Sequence, residues 1–261
     1  MCLTEKQYKE QNKTNTMNQL GQHFLKDKDI IDLSIESANI KSEDVILEIG
    51  SGNGVLTKEI AKENPAKIYG AEIDPELFKR LSTKKIKNLE LYNINGLYAA
   101  KTLKYNKIIS NIPYHISEPL FHIIIKKNPE LCVLLIGTNF FDVLESETKI
   151  GISTRAAYII KKIIDVPSTC FEPEPRTGSV LIKLVRKKEV KKEDKIKIEL
   201  IKQEDKYLKN ALENACYKLF GMTKKEAKQK INNFPEELLK KRVMHLSNLQ
   251  FTEVVKIIQK K

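Results

Sequence analysis

The chain has 261 residues, 41% hydrophobic and 31% charged, enough for one large domain with a substantial core plus a smaller appendage. No apolar run approaches the roughly 18 residues of a membrane span; the longest, around Leu131–Ile136 and Phe121–Ile125, have the length of a strand or a buried helix segment. The net charge of +12 is uneven: 25 Lys and Arg face 23 Asp and Glu over residues 1–185, but 21 face 11 over residues 186–261. A cationic last third suits a phosphate backbone, although lysine-rich surfaces also serve solubility alone.

In chain order, Met1–Asn18 is polar and lacks the apolar core of a signal peptide. Val45–Ile49 is a short apolar run ending at Gly50, followed by helical spacing from Val55 to about Lys62: strand, glycine-rich turn, helix. Lys67–Ile73 predicts a second strand, and Asp74-Pro75 opens a helix, proline being favoured in a first helical turn. Leu89–Ile94, Lys107–Ser110 and Leu131–Ile136 predict three more strands, with a helix over Glu118–Lys127 between the last two. Alternating strands and helices imply right-handed crossovers and a doubly wound, mostly parallel α/β sheet. Ile163–Thr169 and Ser179–Val185 flank a proline-bearing loop and predict an antiparallel pair at the sheet edge. Arg186–Asp194 is charged and poor in apolar residues, which sets the expected boundary between a domain over residues 1–187 and a small basic helical domain over 188–261. Helical spacings in the latter cover Ile198–Leu219, Lys224–Ile231, Pro235–Met244 and Phe251–Ile258.

Cys2, Cys132, Cys170 and Cys216 show no C-x-x-C pairing, and the four histidines form no H-E-x-x-H arrangement, so neither a disulfide scaffold nor a metal site is expected and a reducing cytoplasm fits. Glu48-Ile49-Gly50-Ser51-Gly52-Asn53-Gly54 lies at the first strand-to-helix turn, where glycines allow close backbone approach to a nucleotide-like ligand. Its G-x-G-x-G spacing differs from the dinucleotide G-x-G-x-x-G. An acid before the turn suits an ammonium group, such as the amino-acid end of S-adenosylmethionine. Glu72, at the end of the second strand, could accept both hydroxyls of a ribose, or serve merely in capping the next helix with Asp74.

Asn111-Ile112-Pro113-Tyr114 ends the fourth strand and combines an amide oxygen, a stiff turn and an aromatic face. The lone pair of an adenine's exocyclic nitrogen is delocalised into the ring, so acceptors on its two N–H bonds draw it towards a nucleophilic form. Asn111 Oδ1 and a carbonyl of the Ile112-Pro113 turn could accept while Tyr114 stacks; a strand running into a proline turn, with Tyr114 as filler, is the plainer alternative. Strand carboxyl ends line the ligand crevice of such sheets, so the glycine turn, Glu72 and Asn111 face one site.

These motifs resemble, as an ordered set, the S-adenosylmethionine-dependent rRNA adenine N6-dimethyltransferases of the KsgA type, to which the erythromycin-resistance methyltransferases are related. The resemblance begins at Leu20-Gly21-Gln22-His23-Phe24-Leu25 and runs through Glu48–Gly54, Glu72-Ile73-Asp74, Asn111–Tyr114 and Ile116-Ser117-Glu118-Pro119 to Phe171-Glu172-Pro173-Glu174-Pro175 with Ser179-Val180. Weaker echoes at Leu208–Leu212 and Arg242–Phe251 extend it over nearly the whole chain. It implies a Rossmann-like methyltransferase sheet, with His23, Leu25, Gly50, Gly52, Glu72, Asn95 and Asn111 contacting S-adenosylmethionine. It further implies catalysis by Asn111, Pro113 and Tyr114, and a flipped adenine held between Tyr114 and Phe171.

Three segments depart from the family pattern. An Asp that contacts the cofactor's adenine amino group stands here as Asn95 in Ile94-Asn95-Gly96-Leu97, whose amide oxygen could still accept. Gly137-Thr138-Asn139-Phe140-Phe141 replaces a Gln-Lys-Glu segment, and Ile150-Gly151-Ile152-Ser153-Thr154 replaces Tyr-Gly-Arg-Leu-Ser, both on the RNA-facing side. The resemblance implies a cytoplasmic, metal-free monomer that dimethylates N6 of two adjacent adenosines in a hairpin loop near the 3′ end of small-subunit rRNA, within a pre-ribosomal particle, with a role in subunit biogenesis. Two alternatives stand beside it: an RNA-binding assembly factor with little catalysis, and a resistance-type enzyme acting on large-subunit rRNA.

Overall fold

The computed structural model describes residues 22–259; Met1–Asn18, Cys2 and the Leu20-Gly21 start of the N-terminal motif lie outside the described residues. The elements run β1 (Phe24–Leu25), α1 (Lys28–Ala38), β2 (Val45–Ile49), α2 (Val55–Lys62), β3 (Lys67–Ala71), α3 (Pro75–Ser82), β4 (Leu89–Tyr92), α4 (Gly96–Thr102), β5 (Lys107–Asn111), α5 (Ser117–Lys127) and β6 (Leu131–Gly137). There follow α6 (Thr138–Glu145), α7 (Lys149–Ala157), β7 (Tyr158–Val166), β8 (Phe171–Glu172) and β9 (Ser179–Arg186). The chain then continues through α8 (Lys192–Lys202), α9 (Leu208–Phe220), α10 (Lys224–Ile231), α11 (Glu236–Leu239) and α12 (Asn248–Gln259).

Seven strands form one sheet in the order β4-β3-β2-β5-β6-β9-β7. The first five pair in parallel, with Ile49 beside Ala71 and Asn111 beside Leu135, so their carboxyl ends share one edge. Gly178 lies against the Val166 carbonyl while Lys187 N–H bonds Ala157 O, which sets β7 and β9 antiparallel, as the sequence predicts. Strand β7 begins at Tyr158, five residues before the predicted start: α7 ends at Ala157, and the aromatic and β-branched run that follows is already extended.

The chain divides into two compact units. The first takes the chain through Ser117, with Leu131–Phe140 and Lys161–Lys183. Ile46, Ile60, Ile68, Ile109, Val133 and Leu181 form its core between sheet and helices. The second takes Glu118–Glu130, Phe141–Ile160 and the chain from Leu184 onward, around Leu200, Leu212, Phe251 and Val255. Within it, the helical run predicted over Ile198–Leu219 is two helices. Gln203 ends α8, the Tyr207 backbone bridges to Arg242, and Leu208 N–H bonds Lys241 O, so tertiary pairing interrupts a continuous helical pattern. The connector predicted over Arg186–Asp194 is shorter than expected, because Glu193 and Asp194 already occupy the first turn of α8, where carboxylates favour the helix dipole.

Candidate active site

At the carboxyl edge of the parallel strands, within the first unit, a cavity is lined by Glu48, Gly50, Gly52, Glu72, Asn95, Asn111, Pro113 and Tyr114, together with His23, Leu25 and Phe171. The structure therefore brings together every site residue singled out from the sequence, across a chain separation of nearly 150 residues. β1 and β8 bring in the outlying members: Phe24 pairs with Glu172 and Leu25 with Phe171, so the N-terminal motif and the Phe171–Pro175 segment meet.

The glycine turn is built around positive backbone angles, with φ of +73° at Gly50, +52° at Gly52 and +74° at Gly54. That conformation strains any residue with a Cβ. Gly54 is also the N-cap of α2, where a Cβ would collide with Leu81. The turn is tied to the end of β3: Gly50 N–H bonds Ala71 O at 2.8 Å, and Gly52 N–H bonds Glu72 Oε2 at 2.7 Å. The other Glu72 oxygen accepts from Asp74 N–H at 2.9 Å, while Asp74 itself caps α3 through Glu76 and Leu77. Capping is thus the work of Asp74. Glu72, 3% exposed, braces the glycine turn and keeps lone pairs for a ligand, since a carboxylate accepts about four hydrogen bonds.

Glu48 is equally buried and accepts from Thr57 Oγ1 at 2.5 Å. Burial pushes its carboxyl up to about 7, helped by the nearby charge of Glu72, whose own carboxyl burial also raises. Gln22 Oε1 is a further buried acceptor in this wall without a partner among the described residues. Asn95 lines the cavity and has a second engagement. Its Oδ1 caps α4, accepting from Leu97 N–H at 2.8 Å and Tyr98 N–H at 3.4 Å, so the amide oxygen expected to face a ligand is engaged by the helix.

At the end of β5, Asn111 Nδ2 donates to the His23 carbonyl at 3.0 Å, and among the described residues Oδ1 has no hydrogen-bond partner. Ile112 N–H bonds Leu135 O, and the Pro113 carbonyl accepts from Ile116 N–H, so the Ile112 carbonyl is the turn oxygen left for a ligand. The His23 ring stacks on Tyr114, with centroids 6.2 Å apart and planes 26° apart, and its Nδ1 is 2.7 Å from the Pro173 carbonyl. Phe171, 1% exposed, packs into the core with one side on the cavity. Gln22 and Ile73 also line the cavity; the sequence places both inside recognised motifs without assigning either a contact, and side-chain direction decides the place of each.

The profile of the family described as ribosomal RNA adenine dimethylase matches residues 13–260. The chain belongs to this family. A relative in Methanococcus maripaludis, named "Probable ribosomal RNA small subunit methyltransferase A", is 30% identical over 90% of this chain and 98% of its own. A dimethyladenosine transferase from Plasmodium falciparum superposes with a TM-score of 0.59 at 26% identity, covering 89% of this chain and 96% of that one. The 23S rRNA methyltransferase ErmE shares the fold, with a TM-score of 0.58 at 18% identity over 91% of this chain and 100% of that one. The dimethylase is accordingly an rRNA adenine methyltransferase that depends on S-adenosylmethionine.

The cavity of the dimethylase fits that cofactor. Two buried carboxylates and an unpartnered amide oxygen form an acceptor-rich wall, suited to ribose hydroxyls and an ammonium group, whereas the same carboxylates would repel the phosphates of a dinucleotide. Among the described residues no cluster of metal-ligating side chains occurs, and no helix is long and apolar enough to cross a membrane.

Glu48 is expected to couple cofactor binding to pH. Its carboxyl is raised in the folded protein, so the native state holds the proton and the free protein loses stability as pH rises from the ordinary carboxylate range to about 7. A cationic ligand favours the ionised form, so affinity for S-adenosylmethionine is expected to rise from about pH 6 and to level off by about pH 8. Titration calorimetry checks this; Glu48→Gln should flatten the profile, and an unchanged slope in that variant would rule Glu48 out as its source.

Proposed function

We propose that the dimethylase methylates N6 of two adjacent adenosines in a hairpin loop near the 3′ end of small-subunit rRNA, within a pre-ribosomal particle, and that this contributes to subunit biogenesis. The observation that carries this reading is the Asn111–Tyr114 turn, in which the donor end of the amide is spent on His23 and two acceptors remain beside an aromatic ring. Asn111 Oδ1 and the Ile112 carbonyl accept from the two N–H bonds of the target amine, fixing its position and localising its lone pair. Pro113, at φ −56°, stiffens the turn between them. Tyr114 stacks on the base, and Phe171 forms the opposite wall once the adenine has left its own stack.

When bound, S-adenosylmethionine supplies a methyl group already activated on a sulfonium. Glu72 and Gly52 hold the ribose side, Gly50 with Glu48 the amino-acid end, and His23, Leu25 and Asn95 complete the cofactor wall. Aligning the amine with the methyl and excluding water supplies roughly 7–11 kcal/mol of barrier reduction without a covalent protein intermediate. Mass analysis of adenosines in small-subunit RNA, after incubation with the protein and isotopically labelled cofactor, tests the assignment. Label in two adjacent dimethyladenosines near the 3′ end is expected; label confined to large-subunit RNA would instead favour the resistance-type reaction.

Residues 188–261 are assigned the grip on the RNA backbone. Lys241 and Arg242 are exposed there, and the Arg242 guanidinium lies 5.7 Å from the centroid of the half-exposed Tyr207 ring. RNA affinity should fall steeply with salt, and Lys241→Gln with Arg242→Gln should reduce the slope of log K against log salt by about 2, one for each phosphate no longer neutralised. Filter binding over a salt series measures this; an unchanged slope would place the RNA elsewhere. An assembly factor with weak catalysis is the second reading, favoured by the engagement of Asn95 Oδ1 in capping α4. Particle binding without any labelled product would support it.

A further inference from the structure

The Tyr114 ring sits in a slot made by residues distant in sequence. Its hydroxyl is 2.7 Å from Ser179 Oγ and 3.4 Å from the Thr177 carbonyl. Ser179 is fully buried at the start of β9, in the run Ser179-Val180-Leu181-Ile182, where a lone hydroxyl is costly unless bonded. Across the ring lies Gly137, the last residue of β6. A Cβ built there would be 3.3, 3.4 and 3.5 Å from Tyr114 Cγ, Cδ1 and Cδ2, the closest approach being tighter than nine in ten real Cβ contacts. The Gly137 backbone is not in the left-handed region. What glycine supplies there is room for the ring rather than a special φ.

A tyrosine has two soft side-chain torsions. Here the hydroxyl end is pinned by β9, Gly137 lies against one ring face and the His23 ring stacks with its centroid 6.2 Å away, so three separate partners hold the ring's orientation. We propose that Gly137 and Ser179 are positioning residues, which hold the Tyr114 ring in its base-receiving orientation before RNA arrives and thereby set the efficiency of adenine capture. The proposal rests on the reading of Tyr114 as the aromatic partner of the target base. It adds that the ring's orientation is preorganised by two residues that touch neither substrate nor cofactor, which lowers the ordering cost at binding.

The test uses the full chain and two forms of a small-subunit 3′ hairpin RNA: the unsubstituted hairpin for kinetics, and one carrying 2-aminopurine at a target adenosine, which has no 6-amino group to methylate and whose fluorescence is quenched on stacking. Tyr114→Phe and Ser179→Ala should each reduce the quenching and lower kcat/KM for the RNA by roughly 3- to 10-fold, the scale of one neutral hydrogen bond. The double variant should be no worse than the poorer single, because both remove the same hydrogen bond. Gly137→Ala, which keeps every hydrogen-bonding group but crowds the ring, should give a loss of similar size. Affinity for S-adenosylhomocysteine should stay unchanged in all four, separating ring placement from general damage. Parental quenching and kinetics in Ser179→Ala, or losses that multiply in the double variant, would overturn the proposal. Unchanged quenching and turnover in Tyr114→Ala would instead overturn the underlying role of Tyr114.

Discussion

Replacing Asn111 with alanine should lower the rate of methyl transfer by about 10²- to 10³-fold, the range found when one preorganised polar group facing a reacting centre is removed. Two consequences of the substitution add up. The acceptor proposed for one N–H of the target amine is lost, and so is the Nδ2 bond that ties β5 to the His23 carbonyl at 3.0 Å. Single-turnover transfer of labelled methyl, compared with calorimetric affinity for S-adenosylhomocysteine, separates them: the rate should fall far more than the affinity. Asn111→Asp keeps an acceptor but sets a carboxylate against the His23 carbonyl, and it should be comparably impaired. Near-parental turnover in Asn111→Asp would show that an acceptor alone suffices and that orientation through His23 contributes little.

Glu72→Ala should weaken cofactor affinity by about 10²-fold or more, because two charge-assisted hydrogen bonds to a ligand contribute roughly 1.5–3 kcal/mol each. The same substitution strands the Gly52 and Asp74 amides that its oxygens accept from at 2.7 and 2.9 Å. Buried N–H groups without partners cost about 1–3 kcal/mol apiece, so Tm should fall by roughly 5–15 °C for a chain of this size. Glu72→Gln keeps one oxygen for one of the two amides and should fall between parent and alanine on both measures. Calorimetry with S-adenosylhomocysteine and a thermal melt decide it. A melt unchanged in Glu72→Ala would mean that the glycine turn holds its shape without the carboxylate, and that Glu72 acts on the ligand alone.

The parallel half of the sheet is legible in the sequence because its strands are short apolar runs, three of them closed by a punctuating residue: Gly50 after Val45–Ile49, Asp74-Pro75 after β3, Pro113 after β5. Such patterns act over a few residues, so they survive in one dimension. Helix α4 is not legible in the same way, because its only start signal is Asn95, whose side chain suits ligand contact equally well and in fact caps the helix. The single helix expected over Ile198–Leu219 fails for a different reason: its break at Gln203–Tyr207 is imposed by pairing with Lys241–Val243, some 35 residues on.

The sequence by itself determined the order of the five parallel strands, the glycine turn, and the placing of Glu72 and Asn111 at strand ends, since local propensity and the rule that ligands bind at carboxyl strand ends need no knowledge of distant contacts. Only the tertiary structure decided which atoms of those residues remain free. Asn111 offers its oxygen because a carbonyl 88 residues earlier takes its nitrogen. Asn95 engages the same atom in capping its own helix. Tyr114 has a fixed orientation because a hydroxyl 65 residues later and a glycine at the end of β6 close around it. Side-chain hydrogen bonds are directional and short-ranged, so their partners exist only once the sheet has brought separate segments to within about 3 Å.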